Sequence, residues 1–443
     1  MSEELIAALQ NSFDPVREVQ PGEQFYVDCK EVRGDNDILR ELGRHISRSS
    51  DIRSCQLYAG HRGAGKSTEL LRLKEDLEKK GYLVIRFQAD EDFDIWDAEY
   101  TDILLTCTHN ILKDLKEIAN PSPLVEWSKS RWQALKDLAL TEVSIEDVPI
   151  EAQLGIFGKL TTTLKTNPSM RETIRKQVDR YSISLTDALN EFIDEAKQQV
   201  GAAKLVVIAD NLDRIVLMPR DNGRTNYDNI FIDHSELMKK LSCHVIYTVP
   251  ISLIYSSRSR QLCEAYGDPQ ILPMIMVRDP EQKYAPYQLG IDKVKEVIRK
   301  RVNRYVPERS LEGDIFDSRE TLEQLCLMSG GRIREVMRFM QAALREIDDF
   351  PITKEATQVA FFVATESYRE ALDQSDWDRL AKIHRDKDSD NDDQSRKLLF
   401  DLCVLEYRYK DTLGKPHRWR DVHPLLQETD KFQKALAKLS HEP

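Results

Sequence analysis

The residues between Gly60 and Ser67 have the types and the spacing needed to bind phosphate groups. With Gly65 and Lys66 they fit the pattern G-x-x-x-x-G-K-[ST]. Glycines allow a loop to turn its amide groups inward, because a Cβ atom would resist those backbone conformations. A lysine adds positive charge across the phosphates, and a serine hydroxyl at this position is a magnesium ligand. The sequence therefore predicts a P-loop that binds a nucleoside triphosphate.

Every residue of this loop is a candidate for contact with the nucleotide. The candidates are Gly60, His61, Arg62, Gly63, Ala64, Gly65, Lys66, Ser67 and Thr68. Lys66 is also the candidate for charge neutralisation during hydrolysis, and Ser67 is the first candidate ligand of Mg²⁺.

In a second stretch, residues 204–214, a run of apolar residues ends in an acid. The run predicts a buried parallel strand with Asp210 at its carboxyl end, the end at which open α/β sheets bind ligands. Paired with a P-loop, this pattern is typical of a Walker B strand, in which Asp210 orients Mg²⁺. Asn211 follows, at the position where most hydrolytic P-loop proteins with this motif have a second carboxylate. We therefore expect slow hydrolysis, with Asp213 as the responsible residue if hydrolysis is fast.

Two further patterns place polar residues at the ends of predicted elements. Residues 244–250 predict another buried strand, with Thr248 near its end. Gly330 and Gly331 precede a predicted helix whose first residues include Arg332 and Arg334. Each pattern has an ordinary alternative: a threonine that ends a core strand, and an amphipathic helix whose arginines face solvent.

The elements around these motifs predict an α/β protein. Leu70, Leu73 and Leu77 recur at helical spacing after the P-loop, and the chain from Leu289 is helical in pattern. Gly155 and Gly158, among β-branched and aromatic residues, predict a hairpin inserted over residues 143–160. The predicted strands are residues 52–58, 81–88, 204–210, 244–250 and 271–277, and the predicted long helices are residues 68–80, 96–140 and 170–200.

The C-terminal residues predict a helix followed by a hairpin, the arrangement of a winged-helix domain. Residues 397–405 predict the helix, and residues 406–410 and 418–422 predict the two strands. The predicted wing has a local excess of positive charge. Its cations are Arg408, Lys410, Lys415, Arg418 and Arg420.

The composition sets limits on partners and compartment. The chain has 443 residues and a net charge of −12, which disfavours a surface that coats nucleic acid but leaves room for a basic patch. Seven dispersed cysteines without ligand spacing predict neither disulfides nor a zinc site. No window approaches the roughly 18 apolar residues of a membrane span, and the acidic amino terminus is unlike a signal peptide. We expect a cytoplasmic protein with no membrane association.

Together, these motifs resemble the AAA+/STAND superclass of P-loop ATPases, over about residues 25–440. The run Asp210-Asn-Leu-Asp213-Arg214 is similar to the STAND form of the Walker B motif. Origin-recognition-like AAA+ proteins are the other near neighbours. The resemblance implies an α/β fold with a P-loop NTPase parallel sheet flanked by helices, followed by a helical lid and a C-terminal winged-helix domain.

The resemblance also assigns roles to residues outside the two Walker motifs. It implies that Thr248 is a sensor 1 residue near the γ-phosphate and that either Arg332 or Arg334 is the sensor 2 arginine. It places the adenine contacts at Tyr26, Val27 and Arg33, although an ordinary packed turn predicts the same pattern. It makes His423 the counterpart of a histidine that contacts the ADP β-phosphate in STAND proteins, but Pro424 follows it where the family has an acid. It makes Arg258 and Arg260 arginine-finger candidates, with a solvated pair as the alternative.

These expectations divide the chain into four segments. They are a lead-in at residues 1–24, a P-loop ATPase core at 25–285 with a helical and hairpin insertion at about 100–200, a helical lid at 286–365 and a winged-helix domain at 366–443.

The resemblance implies an ATP/ADP- and Mg²⁺-dependent nucleotide switch with slow hydrolysis. Such a switch would control assembly with a partner protein, in bacterial defence or regulation, and could form an ATP-dependent homo-oligomer. The alternative is a DNA-associated AAA+ ATPase that positions a partner on duplex DNA through its basic wing.

Overall fold

The computed structural model describes residues 2–49, 53–131, 150–200, 204–220 and 223–440. The chain divides into two compact units. The P-loop unit comprises residues 1–37, 60–72 and 271–443, and the strand unit comprises residues 38–59 and 73–270.

The central sheet has five strands in the order β2-β3-β4-β1-β5. Their bounds are β1 Ser54–Gly60, β2 Leu83–Gln88, β3 Leu205–Asp210, β4 His244–Pro250 and β5 Gln270–Leu272. Strand β3 runs parallel to both β2 and β4. All residues of β3 and β4 are buried, as expected for strands covered on both faces by helices. The predicted α/β fold is therefore confirmed.

The last predicted strand of the sheet is shorter than the sequence suggested. Residues 271–277 were expected to be extended together, but β5 ends at Leu272. Pro273 follows, and proline has no amide hydrogen to donate to a neighbouring strand. The apolar residues beyond it, such as Met274 and Ile275, are buried without forming a strand.

Helices make up most of the described residues between β2 and β3 in the strand unit. Their bounds are Tyr100–Leu115, Ser122–Ser130, Ile150–Thr166 and Pro168–Gln199, and Ser259–Tyr266 follows β4. The longest begins with Pro168, whose fixed φ suits the first helical position. Asp102 accepts a hydrogen bond from the amide of Glu99 at 3.0 Å and so caps the helix that contains it.

The inserted hairpin predicted from glycines is wrong over its second half. Residues 150–160 are helical, and residues 143–149 lie outside the described residues. Gly158 is tolerated in this helix because it allows close packing: a Cβ atom there would approach Cε1 of His109 to 2.9 Å. The glycine therefore serves a helix–helix contact instead of a turn.

The P-loop unit is mostly helical from residue 288 onward. Its helices are Gln288–Val302, Arg319–Met328, Ile333–Arg345, Lys354–Arg369, Gln374–Asp386, Asp393–Phe400 and Asp430–Ser440. We call Ile333–Arg345 the lid helix. Gly330 and Gly331 before it have φ of 58° and 74°, and a Cβ atom on Gly331 would lie 1.8 Å from the carbonyl oxygen of Ile275. The predicted helix after the two glycines is present, and the glycines are required by this close approach.

After a short antiparallel pair, β6 (Arg278–Asp279) and β7 (Ala285–Pro286), two longer antiparallel strands form the C-terminal hairpin. They are β8, Val404–Lys410, and β9, Pro416–Val422, paired from Val404 opposite Val422 to Lys410 opposite Pro416. Asp411 shapes the connection, since its side chain accepts from the amides of Leu413 and Lys415 at 2.9 Å each. The helix Asp393–Phe400 precedes this hairpin, so the predicted winged-helix arrangement is confirmed. Every helix in the described ranges falls short of the length or hydrophobicity that a bilayer crossing requires.

Candidate functional site

The P-loop connects β1 to a helix, as its motif predicts. Strand β1 ends at Gly60, and the helix Lys66–Lys79 begins after five intervening residues. Gly60, Gly63 and Gly65 have φ of 154°, 79° and 106°, values that L side chains rarely adopt. Nζ of the buried Lys66 donates to the carbonyl oxygens of Gly60 at 2.9 Å and His61 at 3.0 Å. Ser67 and Thr68 lie half-buried in the first helical turn.

The start of the lid helix contacts the tip of the P-loop. The amide of Arg334 donates to the carbonyl oxygen of Gly63 at 3.1 Å, and Nε of Arg332 donates to the carbonyl oxygen of Arg62 at 2.8 Å. The approach is so close that a Cβ atom on Gly63 would lie 2.6 Å from Cβ of Arg334. Both sensor 2 candidates therefore lie at the P-loop.

The guanidinium of Arg332 belongs to a buried polar network. Its Nη1 donates to the carboxylate of Glu335 and, at 2.9 Å, to the hydroxyl of Tyr368. The Tyr368 hydroxyl in turn donates to Glu335 at 3.1 Å. Burial alone would raise the pKa of Glu335, but the charge of Arg332, together with other nearby positive charges and the hydrogen bond from Tyr368, holds that pKa below its ordinary value. Arg332 is thus fixed as a link between a P-loop carbonyl and the lid.

The second candidate, Arg334, is directed elsewhere. Its backbone is bonded to Gly63, but its Nε donates to the carbonyl oxygen of Pro15 at 3.2 Å. Arg332 is hydrogen-bonded to the P-loop through its side chain, and Arg334 is hydrogen-bonded to it through its backbone amide.

Strand β8 of the hairpin is hydrogen-bonded to the side chain of His61. The amide of Glu406 donates to Nε2 of His61 at 2.9 Å, which requires the hydrogen of a neutral ring to be on Nδ1. Burial, reinforced by the charges of Lys66, Arg332 and Arg420, lowers the pKa of His61 to about 3. The neighbouring residue Arg62 lies over the ring of Phe400, 4.0 Å from its centroid.

Arg33, one of the predicted base contacts, also lies at the P-loop. Its Nη2 donates to the carbonyl oxygen of Ala64 at 2.7 Å. Its Nε and Nη1 are buried, and neither has a hydrogen-bond partner among the described residues. Such donors fit a ligand rich in oxygen acceptors. The P-loop glycines, Lys66 and Arg33 together suit the phosphates of a nucleotide.

The other two predicted base contacts pack against the helix that follows the P-loop. The hydroxyl of Tyr26 lies 3.4 Å from Oε1 of Glu69, and Arg72 lies over the Tyr26 ring at 4.8 Å. Lys300 donates to the carbonyl oxygen of Tyr26 at 2.5 Å. Val27 is buried. These contacts are those of a packed turn, the alternative considered for this segment.

His423 is buried behind the Arg332 network. Its ring stacks on Tyr368 with centroids 4.5 Å apart, and its Nδ1 accepts from the amide of Leu425 at 3.3 Å. Burial lowers its pKa to about 4. Its described contacts connect it to the P-loop through Tyr368 and Arg332. Direct contact of His423 with a nucleotide phosphate, expected from the STAND resemblance, stays a prediction.

In the strand unit, Asp210 ends β3 as predicted, and both of its carboxylate oxygens are engaged. Oδ2 accepts from Nη2 of Arg86 at 2.6 Å, and Oδ1 accepts from the amide of Asn211 at 2.8 Å. Asp210 is 1% exposed. Burial raises its pKa, and Arg86 offsets only part of the rise. The guanidinium of Arg86 thus contacts the carboxylate for which the sequence predicts a role as a Mg²⁺ ligand, and that role stays a prediction.

The turn after Asp210 is fixed by side chains of the strand unit. Asn211 has φ of 65°, and its Nδ2 donates to Oε1 of Gln88 at 3.2 Å and to Oδ1 of Asp90 at 2.8 Å. Arg214 donates to the other oxygen of Asp90 at 2.8 Å. Asp213 is buried in the 3₁₀ turn Leu212–Arg214. Asn211 therefore has a structural role at the position where hydrolytic relatives carry an acid.

Thr248 supports the same turn. Its hydroxyl accepts from the amide of Leu212 at 3.0 Å and lies 3.5 Å from the carbonyl oxygen of Ala209. The residue is fully buried. These bonds are those of a threonine that ends a core strand, the alternative to a sensor of γ-phosphate.

The arginine-finger candidates are paired within the strand unit. Arg258 donates to Oε1 of Gln261 at 2.7 Å and is paired with Asp233 at 2.7 Å. Arg260 is paired with Glu264 at 3.1 Å.

Most cations of the predicted basic wing are paired with acids. Arg420 is buried and paired with Glu406. It therefore does not belong to an exposed basic patch, contrary to the expectation from the sequence. Arg408 also pairs with Glu406, and Arg418 pairs with Asp388 at 3.2 Å. Lys410 lies 3.5 Å from Asp35, and Lys415 is exposed. The hairpin therefore offers less free positive charge than its composition suggests.

Four residues that hydrogen-bond predicted site or wing residues were not expected from the sequence: Arg86, Glu335, Tyr368 and Glu406. Arg86 could have been identified from the sequence, because a lone cation in the apolar run of β2 needs a buried partner. The neighbouring strand ends in Asp210, which supplies one. Glu406 had a weaker signal as an acid between apolar residues in β8. Glu335 and Tyr368 lie on separate helices, and no spacing in the sequence predicts that they meet.

Among the described residues, no group of three or more His, Cys, Asp and Glu side chains is arranged to hold a metal ion. Of the two predicted ligands of Mg²⁺, Ser67 belongs to the P-loop unit and Asp210 belongs to the strand unit.

No protein-family model and no curated protein sequence matches the chain. Solved structures similar to it include the Orc1 protein of Aeropyrum pernix in complex with DNA, at 11% identity, 97% coverage of this chain, 96% of that chain and a TM-score of 0.37. A Walker-type ATPase of Pyrococcus abyssi has 14% identity, coverage of 94% of this chain and 100% of that chain, and a TM-score of 0.40. The Cdc6 protein of Pyrobaculum aerophilum has 12% sequence identity to this chain. The match covers 97% of this chain and 98% of that chain, with a TM-score of 0.39. The chain is thus similar to origin-recognition-type and Walker-type proteins, as its motifs suggested, at TM-scores that carry no conclusion about its activity.

Proposed function

We propose that this chain binds a nucleoside triphosphate at its P-loop and that occupancy controls how the lid helix and the hairpin pack against that loop. One observation carries the proposal. Three consecutive P-loop residues, His61, Arg62 and Gly63, accept hydrogen bonds from Glu406, Arg332 and Arg334. The loop that would bind phosphate is therefore held by the C-terminal part of the chain.

The coupling follows from what phosphate binding requires. Lys66 bonds the carbonyl oxygens of Gly60 and His61 and would exchange these acceptors for phosphate oxygens. Such an exchange reorients the backbone on which the contacts from the lid helix and hairpin depend. A ligand shifts an equilibrium between packings by its difference in affinity for them, and coupling energies of about 1–3 kcal/mol are typical.

Hydrolysis, where it occurs, is proposed to be slow. Phosphoryl transfer depends mostly on positioning and charge neutralisation, for which Lys66 is the candidate. Asn211 holds Gln88 and Asp90 at the position where an acid would assist the attacking water. Asp213 remains the candidate acid. If Asp213→Ala hydrolyses ATP as fast as the parent, that assignment is wrong.

The test combines binding with hydrogen exchange. Fluorescent mant-ATP binding is measured for the parent and for Lys66→Ala, with Lys79→Ala as the control lysine at the far end of the same helix. Amide exchange is then followed in residues 330–345 and 404–422 with and without ATP. We expect exchange to change in the parent and in Lys79→Ala but not in Lys66→Ala. Binding without any change in either segment would refute the switch.

The switch is further proposed to control assembly with a partner protein or with further copies of the chain. Size-exclusion chromatography with light scattering, after identification of the copurifying nucleotide, tests this step. An ADP-bound monomer that assembles on addition of ATP and magnesium would support it. A monomer whose mass is the same in ADP and ATP argues against self-assembly.

A second candidate function is the positioning of a partner on duplex DNA through the hairpin. Lys410, Lys415 and Arg418 on its outer half favour it, whereas the pairing of Lys410 and Arg418 with acids disfavours it. The Aeropyrum pernix Orc1 structure contains DNA, but a TM-score of 0.37 transfers nothing from it to this chain.

Fluorescence anisotropy with a labelled duplex tests this function. Phosphate contacts predict binding that weakens steeply between about 50 and 200 mM salt. The binding should be lost in the double variant Lys410→Glu/Lys415→Glu and kept in Lys79→Glu. Equal losses in both variants would indicate a general effect of charge.

A further inference from the structure

The side chain of Arg86 reaches the Walker B carboxylate from the neighbouring strand. In the parallel pairing of β2 and β3, Arg86 lies opposite Ile208 and Gln88 lies opposite Asp210. Side chains two residues apart on a strand share a face of the sheet, so Arg86 lies on the same face as Gln88, the residue opposite Asp210. Its Nη2 covers the remaining distance to Oδ2 of Asp210, at 2.6 Å.

This contact places a positive charge directly on the carboxylate that a metal ion would otherwise bind. Oδ1 of Asp210 is bonded to the amide of Asn211, and Oδ2 is bonded to Arg86. The side chains of Arg86 and Asp210 are 9% and 1% exposed. A magnesium ion requires near-octahedral oxygen ligands at about 2.0–2.1 Å or water molecules that bridge to the carboxylate. In either arrangement the guanidinium competes with the metal ion for the carboxylate of Asp210.

The surrounding charges make Arg86 the cation that balances this turn. Asp213 lies near enough that its charge raises the pKa of Asp210, as burial does. Asp90 is already bonded to Arg214 and Asn211. Removal of the Arg86 charge would therefore leave an excess of buried negative charge, which a divalent cation can neutralise.

We propose that Arg86 is a built-in counter-ion that occupies the Walker B carboxylate in place of a divalent cation. A metal ion reaches Asp210 only after the guanidinium has moved away. Arg86 thus sets the metal dependence of this chain, as a positioning residue that acts through Asp210. The inference gives a regulatory step to the proposed nucleotide function and relies on that function for its biological meaning, although the ion pair itself does not depend on it.

The test measures metal binding directly, with Mn²⁺ as the probe and electron paramagnetic resonance as the readout. Mn²⁺ is titrated into the full chain with and without ADP. Arg86→Gln is expected to bind Mn²⁺ more tightly than the parent, on the order of tenfold or more, because a nearby positive charge is removed. The double variant Arg86→Gln/Asp210→Asn should lose this gain. Arg220→Gln, which removes an exposed arginine paired with Glu99, is the matched control and should bind Mn²⁺ as the parent does.

Unchanged or weaker Mn²⁺ binding by folded Arg86→Gln would overturn the proposal, as would a gain that survives in the double variant. Thermal unfolding shows whether Arg86→Gln is folded. If it is not, Arg86→Lys replaces it: the lysine keeps the charge but loses the planar fork, and a gain of about threefold is expected. Absence of that gain would be equally decisive. A separate mant-ATP titration in EDTA tests the proposed function, so a failure of nucleotide binding is distinguished from a failure of the Arg86 inference.

Discussion

The backbone amide of Glu406 donates a hydrogen bond to Nε2 of His61 at 2.9 Å. The two residues lie 345 positions apart. One belongs to the phosphate-binding loop and the other to the C-terminal hairpin, so a single bond joins the start of the nucleotide motif to the last strand pair of the chain. A histidine here acts as an acceptor only while its ring is neutral at Nε2.

Replacement of His61 should weaken the attachment of the hairpin. His61→Ala removes the acceptor and leaves the buried amide of Glu406 unsatisfied, at a cost of about 1–3 kcal/mol. His61→Gln supplies a side-chain oxygen and should recover part of the loss. Guanidinium unfolding measures both variants, with His417→Ala at the hairpin surface as control. Equal stability of His61→Ala and His417→Ala would contradict the role of this bond.

Stability should fall as the pH drops below about 6.5. The pKa of His61 is lowered to about 3, and those of His244 and His423 are lowered to about 4, chiefly by burial. Unfolded histidine has a pKa near 6.5. Between these values the unfolded chain binds more protons, so each histidine reduces the unfolding free energy by up to about 1.4 kcal/mol per pH unit.

Urea unfolding of the parent and of His61→Gln between pH 5 and about pH 8 checks this expectation. The variant lacks one of the three histidines, so its stability should depend less steeply on pH below pH 6.5. Parallel pH profiles for the two proteins would exclude His61 as a contributor.

Glu335 should be essential for the placement of Arg332. Glu335→Ala leaves the Arg332 guanidinium buried without its acid, and breaking a buried ion pair in this way costs about 3–5 kcal/mol. Glu335→Gln keeps a hydrogen-bond acceptor and should cost less. Chemical denaturation measures both, with Glu366→Ala, from an exposed pair with Arg369, as the control. A loss in Glu335→Ala no larger than that in the control would mean that Arg332 finds another partner.

Thr248 should act as a support for the Walker B turn. Thr248→Val keeps the shape but leaves the buried amide of Leu212 without its acceptor at 3.0 Å, a cost of about 1–3 kcal/mol. Thr248→Ser keeps the hydroxyl and should be close to the parent in unfolding free energy. A Thr248→Val protein as stable as the parent, but with weaker discrimination between ATP and ADP, would instead favour the sensor assignment.

The sequence was sufficient for the parts of this molecule that depend on local pattern. The strand and helix around the P-loop, the buried strand that ends at Asp210 and the helix after Gly330 follow from hydrophobic periodicity and glycine placement. The helix at residues 150–166 did not, because Gly158 reads as a turn residue unless the neighbouring His109 is known. Its conformation is decided by a tertiary contact.

The partners of the predicted site residues were beyond the reach of sequence patterns. The pairs Arg86–Asp210, Arg332–Glu335 and His61–Glu406 differ widely in separation, and only the second has a spacing typical of a helix. The charge of the hairpin was misread for the same reason. Arg420 was counted as a surface cation, whereas its partner Glu406 is 14 residues away on the paired strand.

The contact between Gly63 and Arg334 has a consequence for how this protein can vary. The P-loop pattern leaves this position unspecified, but here a Cβ atom would lie 2.6 Å from Cβ of Arg334. Variation at residue 63 is therefore tied to variation in the segment 332–334, and the two should change together among relatives that keep this packing. Relatives with a larger residue at position 63 would have lost the packed arrangement, so the identity of one loop residue would distinguish the two groups in an alignment.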